Sequence, residues 1–402
     1  MLRNVDATRL LIALLCICLA GSAFAADWPN WRGPNYDGIS PEKGFRTNWE
    51  KPPPKLWEAE IGSAFSSFSC VKGKAYTCGT KDKQQMLFCF DAATGNVLWR
   101  TPIEKEYVER QGGDGTRATP TVNDGRVYIF GALGKMLCCD ADTGQILWSQ
   151  QFKAKPQWGY AASVLIEGDL AIVQAGGDDG LLALDKKSGK PVWKSGKALA
   201  GYATPYPFTF DGERYVAGLL GKEAIVVEMK TGRHVFSIPW KTDWDVNAAT
   251  PLFHDGLLFF SSGYNHGSVV LKLGRDGDKL SGQKVWENKS IVGKFQTPVL
   301  YEGYLYVSDE SGKLKCVEFA TGKEKWKQPG IENGTVVLAD GYLVVFTDGG
   351  ELQIAKASPE KYEPSTKVPL LSGRCWTIPT LYDGRIYVRN LERAACYKLT
   401  GE

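Results

Sequence analysis

The chain has 402 residues, 43% hydrophobic and 23% charged, with a formal net charge of +3. This balance excludes a disordered chain, and the interspersed charges of both signs exclude a nucleic-acid surface. Only three histidines occur, His234, His254 and His266, which argues against a multi-histidine metal centre.

In chain order, residues 1–25 read as an export signal. Arg3 and Arg9 supply a positive start, Leu10 to Ala20 is apolar, and Ala23-Phe24-Ala25 is an A-x-A site, predicting cleavage before Ala26. The apolar run is too short for a typical spanning helix, and no later segment approaches 18 uninterrupted apolar residues, so no transmembrane segment is expected in the mature chain. Cys16 and Cys18 lie inside the apolar run without the small preceding residues of a lipoprotein site, so no lipid anchor is expected. The expected location is the periplasm or the exterior. Residues 26–54 contain proline and glycine and read as an extended arm over one face. Residues 55–402 read as a single domain.

That domain is built from repeats. Asp91…Thr94-Gly95…Trp99, Asp140…Thr143-Gly144…Trp148 and Asp185…Ser188-Gly189…Trp193 share one pattern. Glu228…Thr231-Gly232…Phe236 and Glu318…Thr321-Gly322…Trp326 continue it, and Trp57 and Trp286 occupy the same place with degraded turns. The spacing averages about 45 residues. A second marker is a turn glycine between apolar stretches, at Gly73, Gly125, Gly168, Gly212, Gly256, Gly303, Gly341 and Gly384. Asp-Gly between alternating apolar residues signals a hairpin. In the first marker, aspartate can accept backbone N–H groups two or three residues on, while glycine closes the turn. A four-stranded unit of this length cannot bury both faces alone, but eight arranged radially can. The predicted fold is all-β, an eight-bladed propeller of four-stranded antiparallel blades. The last unit ends without its tryptophan strand, and Lys55 to Ile61 resembles the missing piece. This N-terminal strand is predicted to close the ring.

The Asp-x-x-Thr-Gly-x-x-x-Trp unit resembles the pyrroloquinoline-quinone (PQQ) propeller repeat, the quinoprotein alcohol dehydrogenase-like type, over about residues 55–400. The opening Asp27-Trp-Pro-Asn-Trp31-Arg-Gly-Pro34 and the late Cys375-Trp376…Asn390 are similar to an exported bacterial branch of planctomycete type. The resemblance spans three groups: quinone-dependent alcohol and sugar dehydrogenases, the outer-membrane assembly propeller lipoprotein, and many exported proteins of unassigned role. Fold does not choose among them.

The segments that begin each innermost strand are expected at the mouth of the central channel. They offer Arg117, Trp158, Tyr160, Tyr202, Asn247, Phe295, Arg374 and Trp376 as candidate ligand-binding residues. The family's dehydrogenases hold a tricarboxylate quinone with a calcium-type ion, so PQQ with calcium is the cofactor the resemblance implies. No motif here supports it. Asp243, Asp245 and Asn247 echo a calcium loop's spacing but lack its glycine and distal glutamate, and read as a polar loop. Cys138-Cys139 invites comparison with the adjacent-residue disulfide of some family dehydrogenases. It precedes Asp140 within a strand, where neighbouring side chains point to opposite faces, so these read as structural thiols. No catalytic or metal-binding residue is assigned. The leading expectation is a binding or scaffold propeller for a protein, peptide or glycan. A quinone-dependent dehydrogenase or quinone binder and an outer-membrane assembly propeller are the alternatives.

Overall fold

The computed structural model describes residues 26–277 and 279–401; the expected export signal lies outside the described residues. The described chain forms eight sheets, each built on four antiparallel strands, which follow sequential order in seven of them. The first strands of the blades, among them Ser69–Val71, Thr121–Asn123, Leu165–Glu167 and Thr380–Tyr382, contact one another and surround the axis. The ring closes as the sequence predicts: Lys55–Glu60 pairs antiparallel with Arg393–Lys398 and becomes the outermost strand of the eighth blade.

Both sequence markers acquire a physical role. The second-marker glycines fall in two-residue hairpins between the first and second strands of every blade. At Asp124-Gly125 both residues have positive φ, 48° and 71°, the geometry a type I′ hairpin requires. The first marker joins neighbouring blades. Trp99 Nε1 donates to Ala141 O of the next blade at 3.2 Å, and Tyr76 Oη donates to the same carbonyl at 3.1 Å. Trp148 and Tyr128 share Lys186 O in the same way, and across the closure Trp57 and Tyr387 share Ala92 O. The tryptophan of one blade covers the turn glycine of the next. A Cβ on Gly144 would lie 2.5 Å from the Trp99 ring, and one on Gly189 would lie 2.7 Å from Trp148. The signature therefore encodes the seam between units as well as the unit.

Cys138 and Cys139 sit in the strand Lys135–Asp140, both buried and both free thiols, as are the other six described cysteines. Burial pushes the thiols of Cys89, Cys139 and Cys316 up to about 12, which leaves them unreactive.

The arm crosses the end of the channel at which the Asp-Gly hairpins lie. Trp28 bridges Cys70 in blade one, and Pro29 O accepts from Val122 N in blade two at 2.8 Å. The buried Arg32 guanidinium donates to Thr297 O at 2.7 Å and Pro298 O at 2.6 Å in blade six. Ile39–Ser40 pairs in parallel with Leu338–Ala339 as a fifth strand of blade seven. Glu42 accepts the backbone N–H groups of Asp383 and Gly384 in blade eight. Blade seven has Thr366 where the register of blade six has Trp326. There the arm docks its buried Trp49, whose backbone N–H donates to Thr366 Oγ1 at 2.7 Å.

Candidate functional site

A cavity of about 420 Å³ occupies the opposite end of the channel. The segment leading into each of the eight innermost strands lines it, from Phe65 before blade one to Trp376 before blade eight. Tyr264 of blade five joins the wall, and Trp31 of the arm reaches the cavity from below. The arm thus supplies the floor of a pocket whose walls belong to the ring.

Of the residues expected at the mouth, Arg117, Trp158, Tyr202, Phe295 and Trp376 line the cavity. Arg374 stands at its rim, with its guanidinium carbon 4.5 Å above the Trp376 ring and a hydrogen bond to Gly112 O. Tyr160 and Asn247 do not line it and are corrected here. Between Trp158 and Tyr160 the chain turns at Gly159, whose φ is 73°, and Tyr160 passes under the blade, where it stacks on Phe130 at 4.5 Å and donates to Ala175 O at 3.1 Å. Asn247 is fully buried; its amide donates to Leu220 O at 2.7 Å and its oxygen accepts from Thr242 and Ser262. It braces the loop after the turn Asp243–Asp245. Phe65, Glu109 and Lys294 were missed, although Lys294 adjoins Phe295 and all three precede an innermost strand. Trp31 could have been found only by placing the arm.

Part of the wall is an aromatic patch centred on Trp376. Phe65 and Phe295 each lie 5.9 Å from the Trp376 ring, within the range of favourable aromatic pairing. Asp348 accepts the Trp376 Nε1–H and fixes that ring. Every lining cation is already engaged. Arg117 stacks 4.4 Å over Tyr107 and 5.4 Å over Phe65, and donates to Gly113 O at 2.7 Å and to Gly115 O. Burial lowers its pKa. Lys294 pairs with Glu310 at 2.9 Å and lies 4.8 Å over Tyr264. Glu109 turns back on its own loop, accepting from Gln111 N at 2.7 Å and also from Gly112 N and Gly113 N. Desolvation opposes its ionisation, but these N–H groups and Arg117 outweigh it and hold the carboxyl below its usual range. Burial pushes the Tyr202 phenol up to about 12, so it is a neutral hydroxyl.

Fold and mouth together define an eight-bladed propeller of the PQQ type with a ligand-sized pocket on its axis. A family profile described as outer membrane protein assembly factor BamB matches residues 83–328, and the chain belongs to that family. The assembly factor BamB of Burkholderia pseudomallei is 25% identical over 346 residues, covering 74% of this chain and 86% of that protein. Among solved structures, BamB from Moraxella catarrhalis superposes with a TM-score of 0.62 at 15% identity, covering 87% of this chain and 98% of that one. The quinohemoprotein alcohol dehydrogenase ADHIIG from Pseudomonas putida HK5 gives 0.67 at 13% identity, covering 94% and 81%. These two likenesses speak for the fold alone.

The quinone that this fold carries in the dehydrogenases can be tested against the donors present. A tricarboxylate needs several cations free to receive it. Here Arg117 and Arg374 are tied to carbonyls and Lys294 to a carboxylate. Among the described residues no group of three or more histidine, cysteine, aspartate or glutamate side chains could hold a metal ion. The residues present do not fit the quinone with its calcium.

Proposed function

We propose that this propeller is a binding module acting outside the cytoplasm, with the channel mouth as its receiving surface. One observation carries the reading: all eight blades send a lead-in segment to one half-open pocket that the arm closes from below. A rigid ring presenting eight variable segments is suited to recognition. The export pattern of residues 1–25 and the family description support the location. A photo-crosslinking residue at Gln111 or Asn333, at the mouth, is expected to give adducts in intact cells. The same residue at Lys325, on the outermost strand of blade six, is expected to give none. Equal labelling at both positions would overturn the reading. The family match favours a second reading, a scaffold for outer-membrane protein assembly. Mouth adducts whose masses identify an outer-membrane β-barrel assembly component would select it.

A further inference from the structure

We infer that the channel mouth takes a neutral carbohydrate, with sugar rings laid against Trp158 and Trp31 and hydroxyls bonded by the polar groups between them. The inference rests on the binding-module reading and names its ligand class.

Charge narrows the ligand first. Arg117 caps Phe65, Arg374 caps Trp376, and Lys294 lies over both Tyr264 and Phe295. A cationic ligand seeking an aromatic cage would meet ring faces that already carry the protein's own cations. A polyanion would meet cations bound to carbonyls or a carboxylate, would have to displace Glu310 from Lys294, and would face the negative charge of Glu109. Neither sign of charge is invited.

The neutral polar groups point the same way. Along the channel wall, backbone N–H groups of one blade donate to hydroxyls of the next: Ser67 N to Thr119, Thr119 N to Ser163, and Ser163 N to Thr204, at 2.9–3.0 Å. Ser163 and Thr204 line the pocket. Each accepts a backbone N–H, and among the described residues each keeps its own proton to donate. Tyr202 Oη accepts from Trp158 N at 3.2 Å and likewise keeps its proton. The Trp158 indole Nε1 is buried with no partner among the described residues. A purely apolar guest would leave these hydroxyls desolvated and unpaired, which costs free energy. A pyranose presents apolar C–H faces and an edge of hydroxyls, complementing aromatic faces separated by neutral donors. The cavity volume lies within the ~300–1,000 Å³ of small-molecule sites, so the inference concerns a short saccharide or the end of a longer one.

The test is calorimetric titration of the protein with neutral trisaccharides: malto-, cello-, xylo-, manno- and N-acetylchito-oligomers. A galacturonate trimer, a neutral tripeptide and pyrroloquinoline quinone with calcium complete the panel. At least one neutral saccharide is expected to bind saturably, with less than a twofold change in Kd between low and high salt, since no charge is exchanged. Trp158→Ala is expected to weaken binding about tenfold or more, whereas Trp158→Phe, which keeps a ring, is expected to retain most of it. An unchanged Tm in Trp158→Phe guards against misfolding. Absence of neutral saccharide binding at about 10 mM, or preference for the uronate, peptide or quinone, would overturn the inference. If saccharides fail while mouth-specific crosslinks still form, the ligand class is wrong and the binding module stands. If both fail, so does the module.

Discussion

Asp140 shows how a single side chain organises a seam. Its Oδ1 accepts from Asp142 N at 3.0 Å, Thr143 N at 2.8 Å and Thr143 Oγ1 at 2.8 Å. Asp91 and Asp185 repeat the arrangement. Hydrogen bonds from the turn threonine or serine lower all three carboxyls. A carboxyl lowered on folding stabilises above its unfolded value near 3.8, and that contribution is lost as pH falls through the lowered value. His266 adds a step at higher pH. Its ring lies 4.2 Å from Trp240, with Glu287 and Lys289 as charged neighbours, and burial lowers its pKa below 6.5. The unfolded chain therefore takes that proton first, and stability falls as pH drops below about 6.5 until the lowered value is passed. Thermal unfolding followed from pH 8 to 3 is expected to show a shallow decline near pH 6 and a steeper one below pH 4. His266→Gln is expected to abolish the first and leave the second, and a profile unchanged in His266→Gln would refute the assignment.

At the scale of the element, the repeated turn and the repeated tryptophan belong to different blades, and a pair of substitutions separates the two demands on a turn glycine. Gly144 and Gly125 have nearly equal φ, 73° and 71°. A Cβ on Gly125 would meet nothing within 4 Å, whereas one on Gly144 would strike the Trp99 ring. Gly125→Ala is expected to cost about 1 kcal/mol, from backbone conformation alone. Gly144→Ala should cost about 1–3 kcal/mol more, because the indole shared with Tyr76 must move. Denaturant unfolding of both variants measures the difference, and equal losses would mean that the seam does not constrain the turn. Much of this architecture was legible because Thr-Gly-x-x-x-Trp and the hairpin glycines each have one local cause and recur in register. The pocket was legible only in part. Trp158 and Tyr160 look equivalent in sequence, yet two residues of a curving lead-in send one ring to the channel and the other into the core. The engagement of Arg117 and Arg374 with Gly112–Gly115 carbonyls depends on a loop path that no periodicity records.

The whole molecule is held by two uses of its N-terminal region, and they separate by truncation. Lys55–Glu60 closes the ring as a strand, and residues 26–54 close the channel as a strap. Trp28, Tyr36, Phe45 and Trp49 are buried by the arm, each contributing about 1.5–3 kcal/mol before the entropy of ordering the arm is subtracted. Arg32, fully buried, has its pKa lowered to about 10 by desolvation, and it is satisfied by backbone carbonyls of blade six and of the arm itself. A chain beginning at Lys55 is expected to keep the closed ring and unfold cooperatively at a lower Tm. It would also lose the pocket floor with Trp31, so the accessibility of Trp158 and Trp376 to an aqueous quencher should rise. A chain beginning at Ser63 lacks the closing strand as well. Arg393–Lys398 then becomes an open edge, the Trp57 ring no longer covers Gly95, and Ala92 O loses one of its two donors. That chain is expected to unfold over a broad range, be cut by protease near residues 390–400 and associate through the bared edge. If the two truncations behaved alike, the arm rather than the strand would be what holds the ring shut.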